Sequence, residues 1–337
     1  MGEFDDLRDA GLSRGNPIAV GNARATSLLV LLLLVCMTLG CALGPLSLWP
    51  PSAMGWQVLQ TLRLPRVVAA ALGGAALGVG GAALQSVFRN PLVEPGLLGV
   101  SAGAAVGAAS VLVLGVGSVW TLAGGAFVGS LAMSVVLAMV GRYLGGGGAL
   151  LLAGVAGNAF ALALLGVLQA LAPPAMLKTF AIWSLGGFDA VSWPSIAPLA
   201  LAVAIALISL LGLGGRLNAL ALGAREAGHL GIDVPALEMR VLVVIALGVG
   251  ATTALIGMLA FVGLIVPHLL RLLHGPDHRR LLPNAALLGA ALLVLAELLA
   301  RTVLAPRELP VGVLTSLIGG PVFLRLLWQH KAWLRAL

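Results

Sequence analysis

The chain has 337 residues, of which 60% are hydrophobic and only 9% are charged. Soluble domains carry about 25% charged residues, so this composition excludes an ordinary globular enzyme and indicates a polytopic membrane protein. The formal net charge of +7 does not indicate a nucleic-acid partner, because the basic residues are spread between apolar runs, as is typical of membrane orientation.

The hydrophobic runs predict an all-α bundle of about ten transmembrane helices, since each span needs about 20 apolar residues. The eighth run is short for a full span. Residues 1–25 and 331–337 are predicted tails on either side of one transmembrane domain, 26–330. The predicted spans lie approximately at 26–46, 67–87, 96–115, 120–141, 149–171, 195–213, 238–256, 258–273, 282–303 and 311–329.

The Lys and Arg residues of the connections predict which side faces the cytoplasm. With ten spans and both termini inside, fourteen basic residues fall inside and five outside, as the positive-inside rule requires. The inside set is Arg8, Arg14, Arg24, Arg89, Arg142, Arg216, Arg225, Arg240, Arg271, Arg279, Arg280, Arg325, Lys331 and Arg335. The outside set is Arg63, Arg66, Lys178, Arg301 and Arg307.

The polar segment 217–240 separates the sixth and seventh spans and falls on the cytoplasmic side. Within it, Ala221–Leu230 is predicted to form a short helix with a glycine near each end, and Gly231 and Pro235 mark a second break. Such a piece between two long spans is either a docking surface or an ordinary solvated loop, and its composition alone allows both.

Three arginines mark the predicted outer ends of spans. Arg63 and Arg66 precede the second span, where Pro65 suits the first turn of a helix. Arg301 follows Glu297 by four residues, which places the two on one helix face in the favourable order. These arginines either anchor lipid headgroups or recognise acidic groups on an outside protein.

Two further features concern packing and gating. Gly74 and Gly78 have a spacing that lets helices approach closely, which favours packing within the bundle and leaves a dimer contact open. The segment 172–194, between the fifth and sixth spans, is predicted to form a short amphipathic helix at the outer mouth. It is either a gate or a plain interfacial helix.

The chain shows no sequence signature of an enzyme. The run Gly145–Gly148 is not followed by Gly-Lys-Ser/Thr, so it is no phosphate-binding loop. The five histidines lack a metal-ligand spacing, and we predict no metal site. Acids are scarce in the middle of the spans, which argues against an ion-coupled secondary transporter, the main alternative class, and leaves a passive channel as a third.

Five motifs resemble the permease subunits of bacterial type II ABC importers, which carry iron-siderophores, haem or vitamin B12. They follow the order and spacing of that family from about Leu62 to Phe323. The motifs are LRLPR, QSVFRNPLVEPGLLGVSAGA, LALGAREAGHLGI, FVGLIVPHLLRLLHGPDHRRLLP and ELPVGVLTSLIGGPVF.

The resemblance implies a homodimer with the translocation path between its two copies. It also implies two cytoplasmic ATPase subunits, which would bind ATP and Mg in place of this chain, and a periplasmic substrate-binding protein. Arg63, Arg66 and Arg301 would dock that protein, and Val155, Asn158 and Ser184 would line the path together with the fifth and tenth spans. The residues that would contact the ATPase are Leu220, Leu222, Gly223, Ala224, Arg225, Glu226, His229, Leu230 and Gly231.

The cargo is less well defined by the motifs. The stretches HGPDHRRLLP and TVLAPRELPVGVLTSLIGGP resemble the haem-importing branch most. No outside His or Tyr pair offers an axial ligand, so haem would pass through an apolar path without ligation of its iron. A ferric siderophore is the second expectation and cobalamin the third.

Overall fold

The computed structural model describes residues 17–44, 53–116, 118–144 and 147–329. Every regular element within these ranges is helical, which confirms the predicted all-α class. In chain order the helices are α1 (Pro17–Ala42), α2 (Ala53–Val87), α3 (Val100–Val113), α4 (Val119–Leu144), α5 (Gly147–Leu171), α6 (Pro174–Ser184), α7 (Trp193–Leu211), α8 (Gly214–Ala221), α9 (Ala224–His229), α10 (Val234–Ile256), α11 (Val262–His274), α12 (His278–Thr302) and α13 (Val311–Gln329).

All ten predicted spans correspond to helices. Within the described residues seven helices, α1, α2, α4, α5, α7, α10 and α12, are long and apolar enough to cross a membrane. Three shorter apolar helices, α3, α11 and α13, account for the remaining predicted spans. The predicted tail 331–337, most of the tail 1–25 and residues 145–146 of the glycine run lie outside the described residues.

The helix α2 forms the centre of the bundle. Of its most apolar 18-residue window 83% is buried, against 11% for the corresponding windows of α1 and α5. Its glycines make this possible, because a Cβ at Gly74 would lie 2.1 Å from the carbonyl oxygen of Gly289, and one at Gly78 2.3 Å from that of Ala285. The small-residue spacing therefore serves packing of α2 against α12 within the chain.

The eighth span is shorter than predicted, because residues 257–261 are not helical. Gly257 ends α10 with φ 86°, and Phe261 precedes α11 with φ 67°. This irregular backbone is buried against other parts of the chain, since a Cβ at Gly257 would meet the carbonyl oxygen of Trp183 at 2.1 Å. Non-helical backbone at such depth is tolerated where protein covers it.

The helices bring two groups of polar residues to opposite ends of the bundle. The Arg63 end, as we call it, combines the last turn of α1, the first turns of α2 and the last turn of α12. The α9 end combines the last turn of α2, α8, α9 and the first turn of α12. Arg63 and Arg301, which the charge rule assigns outside, thus lie at one end, and Arg279 and Arg280, which it assigns inside, lie at the other.

Candidate functional site

The polar segment 217–240, which we call the coupling segment after its predicted role, comprises the end of α8, all of α9 and the start of α10. One helix over Ala221–Leu230 was expected, but that prediction is wrong at its start, because the chain turns at Leu222 and Gly223 between α8 and α9. Gly223 has φ 135°, and a Cβ there would lie 2.0 Å from Glu226 Oε2, so this turn requires glycine.

The short helix α9 projects from the bundle. Ala227 is fully buried and anchors it, while the side chains of Leu222 and Leu230 are 70% and 64% exposed. Among the nine residues predicted to contact an ATPase, Leu220 and Gly223 are buried and the other seven are exposed. Two exposed apolar side chains thus lie beside charged ones, and such a surface suits contact with another protein.

Two of the three outer arginines are buried. Arg63 is only 4% exposed and donates to the carbonyl oxygens of Cys41 at 3.0 Å and Ala42 at 2.8 Å. Arg301 is 3% exposed, donates to the carbonyl oxygen of Gly40 and lies 3.5 Å from Glu297. The last turn of α1 covers both, so a position at the predicted outer end of a span does not by itself expose an arginine.

Arg66 lies nearer the surface, but two acids of its own chain hold it. Its NH1 donates to both carboxylate oxygens of Glu308, at 3.0 and 2.9 Å, and its NH2 donates to Asp189 at 3.0 Å. The side chain of Arg66 is 16% exposed, whereas those of Asp189 and Glu308 are 67% and 39% exposed. Arg66 therefore joins the connection after α6 to the connection before α13.

The two acids share this site unequally. Burial, together with a hydrogen bond shared with Glu308, raises the pKa of Asp189 even though Arg66 opposes the shift. Burial alone would raise the pKa of Glu308 too, but its hydrogen bonds with Asp189 and Arg66 lower that pKa overall. The pKa values of the two carboxyl groups that hold Arg66 therefore shift in opposite directions.

A cavity of about 520 Å³ lies beside the break between α10 and α11. It is lined by Ser184 of α6, by Ser316 and neighbouring residues of α13, and by Glu94. Val155 and Asn158 of α5 are not among its lining residues, and the roles of all three residues in the path stay predictions. The helix α6 fills the predicted gate segment, and its role as a gate stays a prediction.

Glu94 is a residue that the sequence pattern did not single out. It follows the predicted second span in a connection, yet its Oε2 accepts a hydrogen bond from the Phe261 N–H at 2.8 Å. That contact joins positions 167 residues apart in the chain. The hydropathy pattern carries no signal for such a contact.

These features define a polytopic helical membrane protein with a short exposed helix, α9, at one end. The FecCD transport family matches residues 27–329, and the chain belongs to that family. It is the membrane-spanning permease part of an ABC transporter. The resemblance to ABC permeases that the five motifs indicated is thereby confirmed.

Individual relatives span nearly the whole chain. The hemin transport system permease protein HmuU of Yersinia pestis is 43% identical over 321 residues, covering 90% of this chain and 95% of that protein. The vitamin B12 import system permease protein BtuC of Yersinia pseudotuberculosis serotype O:1b is 39% identical over 312 residues, covering 91% and 92%. A solved structure described as an inward-facing metal-chelate type ABC transporter aligns with a TM-score of 0.81 and 32% identity, covering 89% of this chain and 97% of that one.

Proposed function

We propose that this chain is the permease subunit of an ATP-driven importer that carries haem inward across the bacterial inner membrane. In this proposal two copies form a homodimer with the path between them. Two ATPase subunits bind ATP and Mg on the cytoplasmic side, and a substrate-binding protein delivers the cargo on the periplasmic side. The chain itself binds no cofactor and catalyses no reaction.

The observation that carries the ATP-driven proposal is the exposed α9. A permease that uses a partner's ATP needs a contact that receives force at the cytoplasmic surface. The helix α9 offers an exposed rim of Leu222, Arg225, Glu226 and Leu230 on a single buried anchor, Ala227. Membership of a transport family with ABC-type structural relatives supports this assignment.

The orientation follows from the same surface and from the basic residues. The α9 end carries Arg225, Arg271 and Arg279, and the positive-inside rule favours such an end for the cytoplasm. The Arg63 end then faces the periplasm, and both termini are cytoplasmic. This arrangement supports delivery of cargo at the end where the connections after α6 and α12 meet.

Docking of the binding protein is proposed to depend chiefly on Arg66. Arg63 and Arg301 are covered by α1, so a partner reaches them only if α1 shifts. Arg66 keeps a partly exposed guanidinium, and its planar fork suits carboxylates. Acidic residues of a partner would have to compete with Asp189 and Glu308 for it, so all three arginines stay candidates and Arg66 is the accessible one.

The path proposal rests on two helices. Most apolar side chains of α5, among them Val155, Phe160 and Val167, are exposed within the described chain. The helix α13 lines the cavity that contains Ser184 and Glu94. A second copy set against α5 and α13 would enclose a largely apolar path, as suits a haem or a corrin ring.

Haem is the proposed cargo because the hemin permease is 43% identical to this chain. Vitamin B12 is a second candidate, favoured by 39% identity with a permease for that cargo over 91% of the chain. A ferric siderophore is the third, and the metal-chelate description of the structural relative favours it. All three are large chelates, so the proposed architecture is the same for each.

The cargo is tested by uptake into liposomes that contain the complete complex. Hemin, cyanocobalamin and a ferric siderophore are tested one at a time. Each is added together with the substrate-binding protein that serves this permease, and ATP is supplied inside the liposomes. Uptake of hemin alone supports the proposal. Uptake of either alternative without hemin rejects haem as the cargo and leaves the ATP-driven mechanism in place.

A further inference from the structure

Asn218 of α8 links the coupling segment to the start of α12. Its Nδ2 donates to Asp277 Oδ1 at 2.6 Å, and its Oδ1 accepts from the His278 backbone N–H at 2.7 Å. Gly214, one turn earlier, lets α8 touch α12, because a Cβ there would lie 3.2–3.3 Å from backbone atoms of Arg279 and His278. The first turn of α12 therefore holds α8 by polar and steric contacts together.

The link continues across α12 to α2. His278 is 3% exposed, and its Nδ1 lies 2.8 Å from Asn218 Oδ1, which already accepts the backbone bond. Because an amide oxygen only accepts, this ring nitrogen donates, and the other ring nitrogen, Nε2, is hydrogen-bonded to the Ser86 hydroxyl. Ser86 belongs to the last turn of α2, so Asn218, His278 and Ser86 form a chain from α8 to the centre of the bundle.

The receiving helices form a rigid unit. Backbone contacts join α2 to α12 at Gly74 and Gly78, and α2 to α11 at Gly81, where a Cβ would lie 1.8 Å from the carbonyl oxygen of Gly263. Arg271 of α11 also donates to Gln85 of α2, next to Ser86. A displacement delivered to His278 and Ser86 therefore reaches three closely packed helices.

We propose that Asn218 is a positioning residue for energy coupling, which fixes α8 and α9 to α12 so that displacement of α9 moves α12 and α2. This role rests on the proposed ATP-driven function. The other connection of α9, through Ile232 and Asp233 into α10, begins a separate helix and bypasses α12. Without Asn218, the polar contacts with the start of α12 would be lost, and force on α9 would reach the bundle only through α10 and the remaining packing of α8.

The test compares cargo uptake with ATP hydrolysis in the same liposomes. The complex is reconstituted with wild type, Asn218→Leu or Ser86→Ala, and supplied with hemin or cyanocobalamin, whichever the wild type takes up. Asn218→Leu is expected to lower the uptake per ATP by about five-fold or more, a typical coupling effect. Ser86→Ala removes only the final bond and is expected to lower it by about two-fold. ATPase binding and hydrolysis should persist in both.

Arg216→Leu is the matched control, because Arg216 is exposed on the same helix two residues away. It should keep the wild-type uptake per ATP. Unchanged uptake per ATP in both test variants would overturn the positioning role, as would a joint loss of uptake, hydrolysis and ATPase binding in Ser86→Ala. If Asn218→Leu does not assemble, Ser86→Ala decides. Wild type that hydrolyses ATP without uptake would reject the proposed function itself, and the positioning role with it.

Discussion

At the scale of single residues, Arg66 shows that a sequence pattern can predict where a side chain lies without showing whether that side chain is free to bind a partner. Its place before the second span is visible in the sequence, and so is its outer assignment. Its partners are not, because Asp189 and Glu308 lie 123 and 242 residues away. Arg63 and Arg301 lie at the same end of the bundle, as predicted, but their burial was not predictable, because no sequence pattern shows how α1 covers them.

The competition at Arg66 yields a prediction with an unusual sign. Glu308→Gln removes one of the two carboxylates that occupy the guanidinium, so an acidic partner should bind more tightly, by about 0.2–1 kcal/mol for a rim-exposed pair. Affinity for the substrate-binding protein is measured across a salt series. Glu238→Gln, which removes the same charge from α10, serves as the control. Weaker binding by Glu308→Gln would show that Glu308 assists docking instead of opposing it.

The pH dependence of docking follows from Asp189, whose pKa is raised. As the pH falls through that raised pKa, Asp189 gains a proton at a higher pH than an ordinary aspartate does. The neutral carboxyl group then binds Arg66 less strongly. Glu308, whose pKa is lowered, also faces Arg66, and Glu297 and Arg301 line the same small site. The ratio of the wild-type affinity for the binding protein to the affinity of Asp189→Asn should therefore rise on mild acidification. A ratio that stays constant with pH would exclude Asp189 as a competitor.

At the scale of elements, the existence of the helices was predictable and their contacts were only partly so. Runs of about 20 apolar residues marked the spans, and Gly74 and Gly78 marked a close approach. The break at residues 257–261 was not predictable, because those residues are as apolar as a helix interior and only tertiary cover makes the break tolerable. The turn at Gly223 was missed because Ala221 and Ala224 both favour helix.

The packing of α2 on α12 predicts a position-dependent cost for alanine. Gly74→Ala would press a methyl group against the Gly289 carbonyl and should destabilise the permease by about 1–3 kcal/mol. Gly124→Ala, on α4, meets no heavy atom within 4 Å and should be neutral or stabilising by up to about 1 kcal/mol. Thermal midpoints of the detergent-solubilised protein compare the two. Equal midpoints would mean that α2 and α12 separate more easily than the structure indicates.

The helix α9 predicts a contrast between two prolines. His229→Pro removes a backbone donor at the end of α9 and should abolish transport while the transmembrane helices remain folded. Ala224→Pro places proline in the first turn, where that donor is unpaired in any case, and should be tolerated. Uptake by the reconstituted complexes, with ATPase binding measured alongside, distinguishes them. Full transport by His229→Pro would remove α9 from the coupling mechanism.

At the scale of the whole molecule, composition and motif order were sufficient for the class of protein. A charged fraction of 9% indicated a membrane-spanning helical bundle. Five motifs in order indicated the transport family to which the chain belongs. The hydrogen-bonded route from α9 to the bundle centre could not be predicted from the sequence. Ser86 and His278 are separated by 192 residues, and neither belongs to a periodic pattern.

In the proposed mechanism, the energy for transport comes from a partner's ATP and is delivered through α9. Cargo uptake is measured in liposomes containing the permease with its ATPase, with ATP and with a proton or sodium gradient supplied separately. We expect uptake with ATP and the binding protein, none when the ATPase is omitted, and no response to either gradient. Uptake driven by an ion gradient without ATP would exclude this mechanism and identify a secondary transporter.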